Sequence, residues 1–213
     1  MSRLTNQCEY AHTPQTPQKA LVRGNMLRRC DPTKDVIAVS HALGDSLVTV
    51  GWAGRIFMCD IDQGVRNQIE YSRKDYLGTL DIQAPGHSIE STTENYCLRN
   101  RPGKLTLVDN DLTGCVQTCW KVQKPVLNTL LAHGHKDVLV ALTFRNGRTC
   151  PLGSFKHRVE WLRSQLPPKV VIEESMSYTS LRVGPRVERT PHKEGLGGGS
   201  KGSAMGIVMM RLV

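Results

Sequence analysis

The chain has 213 residues, 39% of them hydrophobic, so it can bury a core, and no apolar run approaches the ~20 residues that cross a bilayer as a helix. Its 28 Lys and Arg exceed its 19 Asp and Glu by nine, which predicts an anionic partner, either nucleic acid or an acidic lipid surface. Aromatic residues make up only 5% of the chain, which argues against a stacking platform for single-stranded nucleic acid.

The chain has seven cysteines but no CxxC pair, and it starts without an apolar signal segment. Both features predict a reducing compartment. Cys115 and Cys119 are expected to lie about 13 Å apart on one face of a strand. That distance is too long for a disulfide or a shared zinc ion. We therefore predict a protein without disulfides.

Residues 1–34 contain several prolines and a basic cluster, Arg23, Arg28 and Arg29, with little periodicity. This composition predicts a flexible basic N-terminal arm. Strand-like segments follow at 36–41, 46–50, 55–61 and 77–82, and Gly44-Asp45 between the first two favours a hairpin turn.

The best-patterned part of the chain runs from Lys104 to Phe144. Leu105 and Leu107 indicate a strand, and the alternation over 115–122 predicts a second, antiparallel one. Pro125 fits the first turn of a helix that ends at Gly134, and the apolar run 138–144 is typical of a strand covered on both faces.

Ser154 is a reasonable N-cap for a helix that reaches Leu166, and two strands are predicted over 169–173 and 177–183. A Gly/Ser-rich linker and an apolar C-terminal tail complete the chain over 184–213. The predicted fold is therefore mainly β and sandwich-like, with two or three short helices. We expect one domain, 35–183, between flexible tails.

Two basic groups are candidate contacts for anionic lipid or RNA. The first is the loop with Arg99, Arg101 and Lys104, which presents charge among Pro and Gly. The second is the outer face of the helix after Ser154, with Lys156, Arg158 and Arg163. An ordinary solvated helix surface is an equally good interpretation of that second group.

The apolar tail is too short to cross a membrane and too hydrophobic to remain in water. We predict that it is an assembly element which adds a strand to a neighbouring subunit. Lipid insertion and docking onto its own chain are the alternatives. The residues assigned to assembly are Met205, Ile207, Val208, Met209 and Met210.

Paired acidic residues raise the possibility of a magnesium-dependent nuclease. The pairs are Asp60 with Asp62, Asp109 with Asp111, and Glu173 with Glu174. Short acidic residues also begin turns, and we favour that interpretation because no general base or phosphate loop accompanies them. His87, His133, His135 and His157 fit no metal-ligand spacing, and no P-loop, nucleophile elbow or Rossmann glycine pattern is present. We predict no enzyme, no cofactor and no metal.

Four segments carry short motifs that occur in the same order in a group of viral proteins. They are Gly51-Trp52 with Met58, Asp60-Ile61-Asp62 and Asn67-Gln68; Thr79-Leu80-Asp81-Ile82 with Pro85-Gly86-His87-Ser88-Ile89; Thr118-Cys119 with His135-Lys136-Asp137; and Tyr178 with Leu181-Arg182 and Val183-Gly184-Pro185. The chain resembles the matrix proteins of non-segmented negative-strand RNA viruses, above all the bornavirus type, and its 115–144 run is similar to part of the pneumovirus matrix N-terminal domain.

The resemblance implies a β-sandwich that oligomerises beneath a viral envelope and links it to the ribonucleoprotein. Its partners would be itself as a homo-oligomer, anionic lipid headgroups and the viral nucleocapsid or RNA, with no small-molecule substrate. It would be found in the virion, the host cytoplasm and the inner face of the host membrane, or the nucleus. The alternative is a structural RNA-binding protein of a large ribonucleoprotein such as an organellar ribosome.

Overall fold

The computed structural model describes residues 17–39, 52–59, 80–82, 88–112, 114–146, 150–180 and 203–213. The predicted strand over 46–50 lies outside these ranges. The described elements are four helices, α1 Pro17–Leu27, α2 Ile89–Arg99, α3 Val116–Ala132 and α4 Phe155–Gln165, and seven strands, β1 Asp35–Ala38, β2 Ile56–Met58, β3 Leu80–Ile82, β4 Leu105–Asp111, β5 Leu139–Arg145, β6 Val170–Ser180 and β7 Ser203–Leu212.

The strands form one mixed sheet in the order β3-β2-β1-β4-β5-β7-β6. The first five are parallel, as in the register Val36 with Ile56 and Val108 with Val140. β7 runs antiparallel to both of its neighbours, β5 and β6. The chain builds outward from β1 to β3, then returns to the other side of β1 and continues through β4 to β5.

Side chains alternate between two layers along these strands because successive residues of a strand face opposite sides. One buried cluster contains Ile37, Val108 and Val140 together with apolar residues of α2, α3 and α4. The other contains Val36, Leu107 and Leu139 together with Val22, Met26 and Leu27 of α1. The sheet therefore has helices on both faces.

The predicted sandwich is wrong, because five neighbouring strands are parallel and parallel strands need crossover connections. α2 supplies the connection from β3 to β4, and α3 supplies that from β4 to β5. Within this α/β fold several predicted elements are confirmed. β2 and β3 lie inside the strands predicted at 55–61 and 77–82, and Ser154 caps α4 by accepting a hydrogen bond from the His157 N–H at 3.3 Å.

The predicted strand over 115–122 is instead the beginning of α3, a helix of 17 residues. Val116, Trp120, Gln123 and Leu127 are buried at helical spacing. Pro125 lies inside this helix on its exposed face, where water can satisfy the carbonyl that proline leaves without a partner. Trp120 is buried on this helix.

Two segments assigned to the tails are part of the fold. α1 comes from the predicted arm and packs on the sheet, and β7 comes from the predicted tail and lies between two strands. The two strands expected over 169–183 are one strand, β6, with a bulge at Glu173. Within the described ranges, no helix has the length and apolar composition needed to span a bilayer.

Candidate functional site at the carboxyl edge of the sheet

β1 is followed in the chain by its neighbour on one side, β2, and β4 by its neighbour on the other side, β5, so the strand order reverses between β1 and β4. A crevice is expected between the carboxyl ends of these two strands. In open α/β sheets, ligands bind at such a switch point. The Val39 N–H donates a hydrogen bond to the carbonyl of Asp109 at 3.1 Å, which joins the two strand ends. Residues 109–111 of β4 therefore border the crevice.

Asp109 and Asp111 lie on the α1 face of the sheet, two residues apart, and Asn110 lies on the α3 face between them. The Lys19 ammonium is 2.9 Å from Asp111 Oδ2, and the Arg23 guanidinium is 3.2 Å from the same oxygen. Arg23 is only 4% exposed. A helix from the N-terminal segment thus contributes two cations to the β4 end.

Asp109 is 3% exposed. Burial, and secondarily the charge of Asp111, raise the pKa of its carboxyl to about 7, while Arg23 and Lys19 oppose that rise. An aspartate whose pKa is raised in this way exchanges its proton near neutral pH. A general base or general acid needs that property.

A shallow pocket opens between α1 and the sheet beside these carboxylates. Val22, Met26 and Ile207 give it an apolar lining, and Thr143 and Tyr178 add hydroxyl groups. Burial, followed by the charge of Asp111, raises the pKa of Tyr178, which keeps this phenol neutral. The site therefore combines a carboxylate of raised pKa with apolar walls.

On the opposite face, the Asn110 side-chain amide donates a hydrogen bond to Gln123 Oε1 of α3 at 3.0 Å. Both side chains are fully buried. Asn110 Oδ1 and Gln123 Nε2 find no partner among the described residues. One acceptor and one donor are thus left next to the crevice, in a position to bind a buried water or a polar ligand group.

We expect Gln123→Leu to lower the free energy of unfolding by about 1–3 kcal/mol, because it leaves both polar groups of the Asn110 amide buried without a partner. The double variant Asn110→Leu/Gln123→Leu should recover much of that loss. Urea unfolding of the wild type, both single variants and the double variant measures the coupling. A double variant that loses the sum of both single losses would contradict the pairing.

The cysteine distance expected from the sequence is wrong, because Cys115 is the N-cap of α3 and Cys119 lies one turn further along the helix. Both are free thiols. Hydrogen bonds from Thr118 lower the pKa of Cys115, which is partly exposed, whereas burial raises the pKa of Cys119 to about 11. Only the first thiol is suited to react.

The basic residues predicted as contacts do not lie at the crevice as one group. Arg99, Arg101 and Lys104 are exposed between the end of α2 and the start of β4, at the opposite edge of the sheet. Lys156 and Arg163 are exposed on α4. Their contact with an anionic partner stays a prediction.

Arg158 differs from the other basic residues because it is buried, 2% exposed. Its guanidinium donates hydrogen bonds to the Asn146 side chain and to the Gly153 carbonyl. These contacts tie the start of α4 to the end of β5. The expected position of Arg158 on an outer helix face is therefore wrong.

The residues assigned to assembly are buried in β7, and the strand pairs on both edges within its own chain. Its main-chain groups are used by β5 and β6, so the strand has no free edge for a neighbouring subunit. The structure agrees with the alternative hypothesis, in which this segment docks onto its own chain. We do not retain the assembly role of Met205, Ile207, Val208, Met209 and Met210.

The acidic pairs give no metal centre within the described ranges, where no group of three His, Cys, Asp or Glu side chains is placed to hold an ion. Asp60 and Asp62 lie outside the described residues. Glu173 binds Arg211 and Arg29, and Glu174 binds Arg29, so both carboxylates are engaged in ion pairs.

A second polar cluster lies at the amino edge of the sheet, away from the crevice. The Asp35 carboxylate accepts hydrogen bonds from the Arg55 guanidinium at 2.6 Å and from the Tyr96 hydroxyl at 2.8 Å. Arg55 also donates to Asn100 Oδ1 at 2.6 Å. This cluster joins β1, β2 and α2 and is structural.

No protein-family model matches the sequence, and no curated protein matches it. Solved structures do match. A protein described as an RNA methyltransferase from Pyrococcus horikoshii shares 11% identity with a TM-score of 0.56, over 99% of this chain and all of its own. An rRNA methylase from Streptococcus thermophilus shares 11% identity with a TM-score of 0.53, over 94% of this chain and 98% of its own.

A tRNA methyltransferase from M. jannaschii matches over 92% of this chain and 50% of its own, with a TM-score of 0.54 and 10% identity. The chain thus spans almost the whole of some of these proteins and half of others. At such identities the likeness establishes the fold: this chain has the α/β fold of these methyltransferases.

This finding overturns the resemblance to viral matrix proteins and the matrix function that it implied, because the matching structures have a different architecture and are described as RNA methyltransferases. The prediction of a protein without catalytic activity is overturned with it, since those proteins are enzymes. The alternative hypothesis was closer in naming RNA, but a structural ribosomal role is not what these neighbours are described as having.

The predicted partners are corrected in the same way. Methyl transfer to RNA needs a small-molecule methyl donor and an RNA acceptor, and the neighbours are described as performing it. That contradicts the predicted set of a homo-oligomer and anionic lipid without a small-molecule substrate.

Proposed function

We propose that the chain is an RNA methyltransferase that binds a small-molecule methyl donor in the crevice between β1 and β4. The observation that carries this proposal is the fold, a mixed sheet with an antiparallel β7 between β5 and β6, which resembles a structure described as an RNA methyltransferase with a TM-score of 0.56 over 99% of the chain. The formal charge of +9 suits a polyanionic acceptor.

The residues at the crevice fit a donor of the S-adenosylmethionine type. Such a donor supplies a methyl group on a positively charged sulfonium. The carboxylates of Asp109 and Asp111 lie at this edge together with the cations of Lys19 and Arg23, so the charges there compensate one another. Asn110 Oδ1 and Gln123 Nε2 remain without partners among the described residues next to the crevice. In open α/β sheets nucleotide ligands bind at the switch point, which supports a place for the donor beside these groups.

Asp109 is the residue we assign to proton transfer. A nitrogen or oxygen of RNA that gains a methyl group loses a proton, and the Asp109 carboxylate takes it. Its pKa of about 7, raised by burial and by Asp111, makes the carboxylate a stronger base than an exposed aspartate while part of it stays ionised at neutral pH. Apolar Met26 and Ile207 beside it limit the access of water.

The experiment is transfer of a tritiated methyl group from S-adenosylmethionine to total cellular RNA, with donor binding measured by calorimetry. We expect incorporation by the wild type and about a 100- to 10,000-fold loss in Asp109→Asn, because an amide cannot accept the proton. Asp137→Asn is the matched control, since Asp137 is exposed at the other edge of the sheet. It should leave transfer unchanged.

Two results would overturn the proposal. One is RNA binding without any methyl incorporation by the wild type, with no heat from S-adenosylmethionine. The other is equal incorporation by the wild type and Asp109→Asn, which would remove Asp109 from the reaction.

A further inference from the structure

We propose that Arg23 is a positioning residue of this site, which binds Asp111 and thereby keeps the Asp109 carboxylate able to accept a proton at neutral pH. This inference rests on the proposed function, because it assigns Arg23 a part in the same proton transfer. Asp109 remains the residue that touches the reacting atoms.

The position of Arg23 is fixed by the packing of α1. Val22, Met26 and Leu27 are buried against the sheet, and Arg23 lies among them with its guanidinium 3.2 Å from Asp111 Oδ2. Lys19, one turn earlier, reaches the same oxygen at 2.9 Å but is 26% exposed at its side chain. Arg23 is therefore the more enclosed of the two cations.

A buried arginine is costly to desolvate, and packing alone would be served as well by an apolar side chain. Arg23 lies where α1 meets the sheet, between the apolar side chains of Val22 and Met26 and the carboxylates of β4. Its charge is compensated by Asp111, and that carboxylate is two residues from Asp109 on the same face of β4. The cation is thus placed where it acts on both acids.

Among the described residues, the charged and titratable groups that face Asp109 come from three elements: Asp111 on β4, Lys19 and Arg23 on α1, and Tyr178 on β6. Burial and the charge of Asp111 raise the pKa of Asp109, and Arg23, followed by Lys19, lowers it. Without Arg23, the charge of Asp111 acts on Asp109 with less compensation. Asp109 would then hold its proton at neutral pH and could not take another.

The test compares two substitutions with opposite expected effects. Arg23→Gln should move the acid limb of the kcat/KM profile for methyl transfer to higher pH, and Asp111→Asn should move it to lower pH. Shifts of about one pH unit or more are expected for charges this close. Arg28→Gln is the control, because Arg28 is exposed just past the end of α1. It should leave the profile unchanged.

A readout without catalysis separates this inference from the proposed function. Carbon-13 NMR of the Asp109 carboxyl, assigned with Asp109→Asn, should show the same opposite shifts of its titration midpoint. If the NMR shifts are found but no variant transfers methyl groups, the proposed function is wrong and the electrostatic role of Arg23 stands. If methyl transfer is found and both substitutions shift the profile in one direction, or neither shifts it, Arg23 is not a positioning residue.

Arg23→Lys keeps the positive charge and is the second variant for the case that Arg23→Gln does not fold. It should restore most of the wild-type pH profile with an unchanged melting temperature. A profile that follows Arg23→Gln despite the retained charge would show that Arg23 acts through its shape, which contradicts the inference.

Discussion

A chain that lacks residues 203–213 should be unable to fold. These residues form β7, which is hydrogen-bonded to β5 on one side and to β6 on the other. Val208, Met209, Met210 and Leu212 are each fully buried. Burial of one such side chain contributes about 1.5–3 kcal/mol, so their loss approaches the ~5–15 kcal/mol by which a whole domain is stable.

Circular dichroism and thermal melting of the truncated chain measure this effect, and removal of Val213 alone is the matched control. Val213 is 53% exposed, and its loss removes one hydrogen bond, from its N–H to the Lys169 carbonyl at 3.0 Å. The shorter deletion should melt close to the wild type. A cooperative transition in the long deletion within a few degrees of the wild type would contradict the position of β7.

Gly54→Ala should be among the most destabilising single substitutions in the described part of the chain. A Cβ at Gly54 would lie 1.9 Å from the Lys34 carbonyl oxygen and 2.3 Å from its carbon. That carbonyl is fixed, because it accepts a hydrogen bond from Trp52 Nε1 at 2.8 Å, and the Gly54 N–H bonds to the Pro32 carbonyl at 3.0 Å. The backbone cannot yield without breaking these bonds.

We expect Gly54→Ala to lower the free energy of unfolding by at least about 3 kcal/mol, the upper part of the range for overpacked sites. Gly103→Ala is the control, since a Cβ there meets nothing within 4 Å and only the φ of +92° opposes it. That backbone conformation should cost about 1–2 kcal/mol. Equal losses in urea unfolding of the two variants would show that the contact with Lys34 is not present.

The elements that could be predicted carry one clear signal, such as the Ser154 cap of α4 or a strand that is apolar on both faces. Leu139 to Phe144 is apolar at every position except Thr143, so the buried strand β5 follows from the sequence. α2 was not predicted, because its buried face contains Thr92, Thr93, Tyr96 and Cys97 and lacks an aliphatic stripe. Thr93 donates a hydrogen bond to the Ile89 carbonyl and Tyr96 donates one to Asp35, so polar side chains on the buried face conceal this helix from apolar periodicity.

The error in α3 has a different cause. Val116, Thr118, Trp120 and Val122 alternate with a period of two and are β-branched or aromatic, which favours a strand. A helix fits this segment equally well, with a buried face made of Val116, Trp120, Gln123 and Leu127. That interpretation places a glutamine among apolar residues, which the sequence pattern does not favour. Tertiary packing against β4 decided between the two patterns.

Of the candidate site, Asp109 and Asp111 stood out as a pair at the end of a strand. Their partners could not be predicted, since Arg23 is 88 residues from Asp111 in the chain and Lys19 is 92. Those cations lie in a segment whose prolines and glutamines suggested a flexible arm. The sequence favoured turns at these acids, because short acidic residues often begin turns and no general base or phosphate loop accompanies the pair.

β7 is inserted between two strands that both precede it in the chain. β5 and β6 are not hydrogen-bonded to each other. β7 lies between them, and β6 joins the sheet through β7. Contacts between residues so distant in sequence form only after a large loss of chain entropy, which makes them slow. Refolding from denaturant should therefore leave β6 outside the sheet until β7 has arrived, because β7 is the strand that joins β6 to β5.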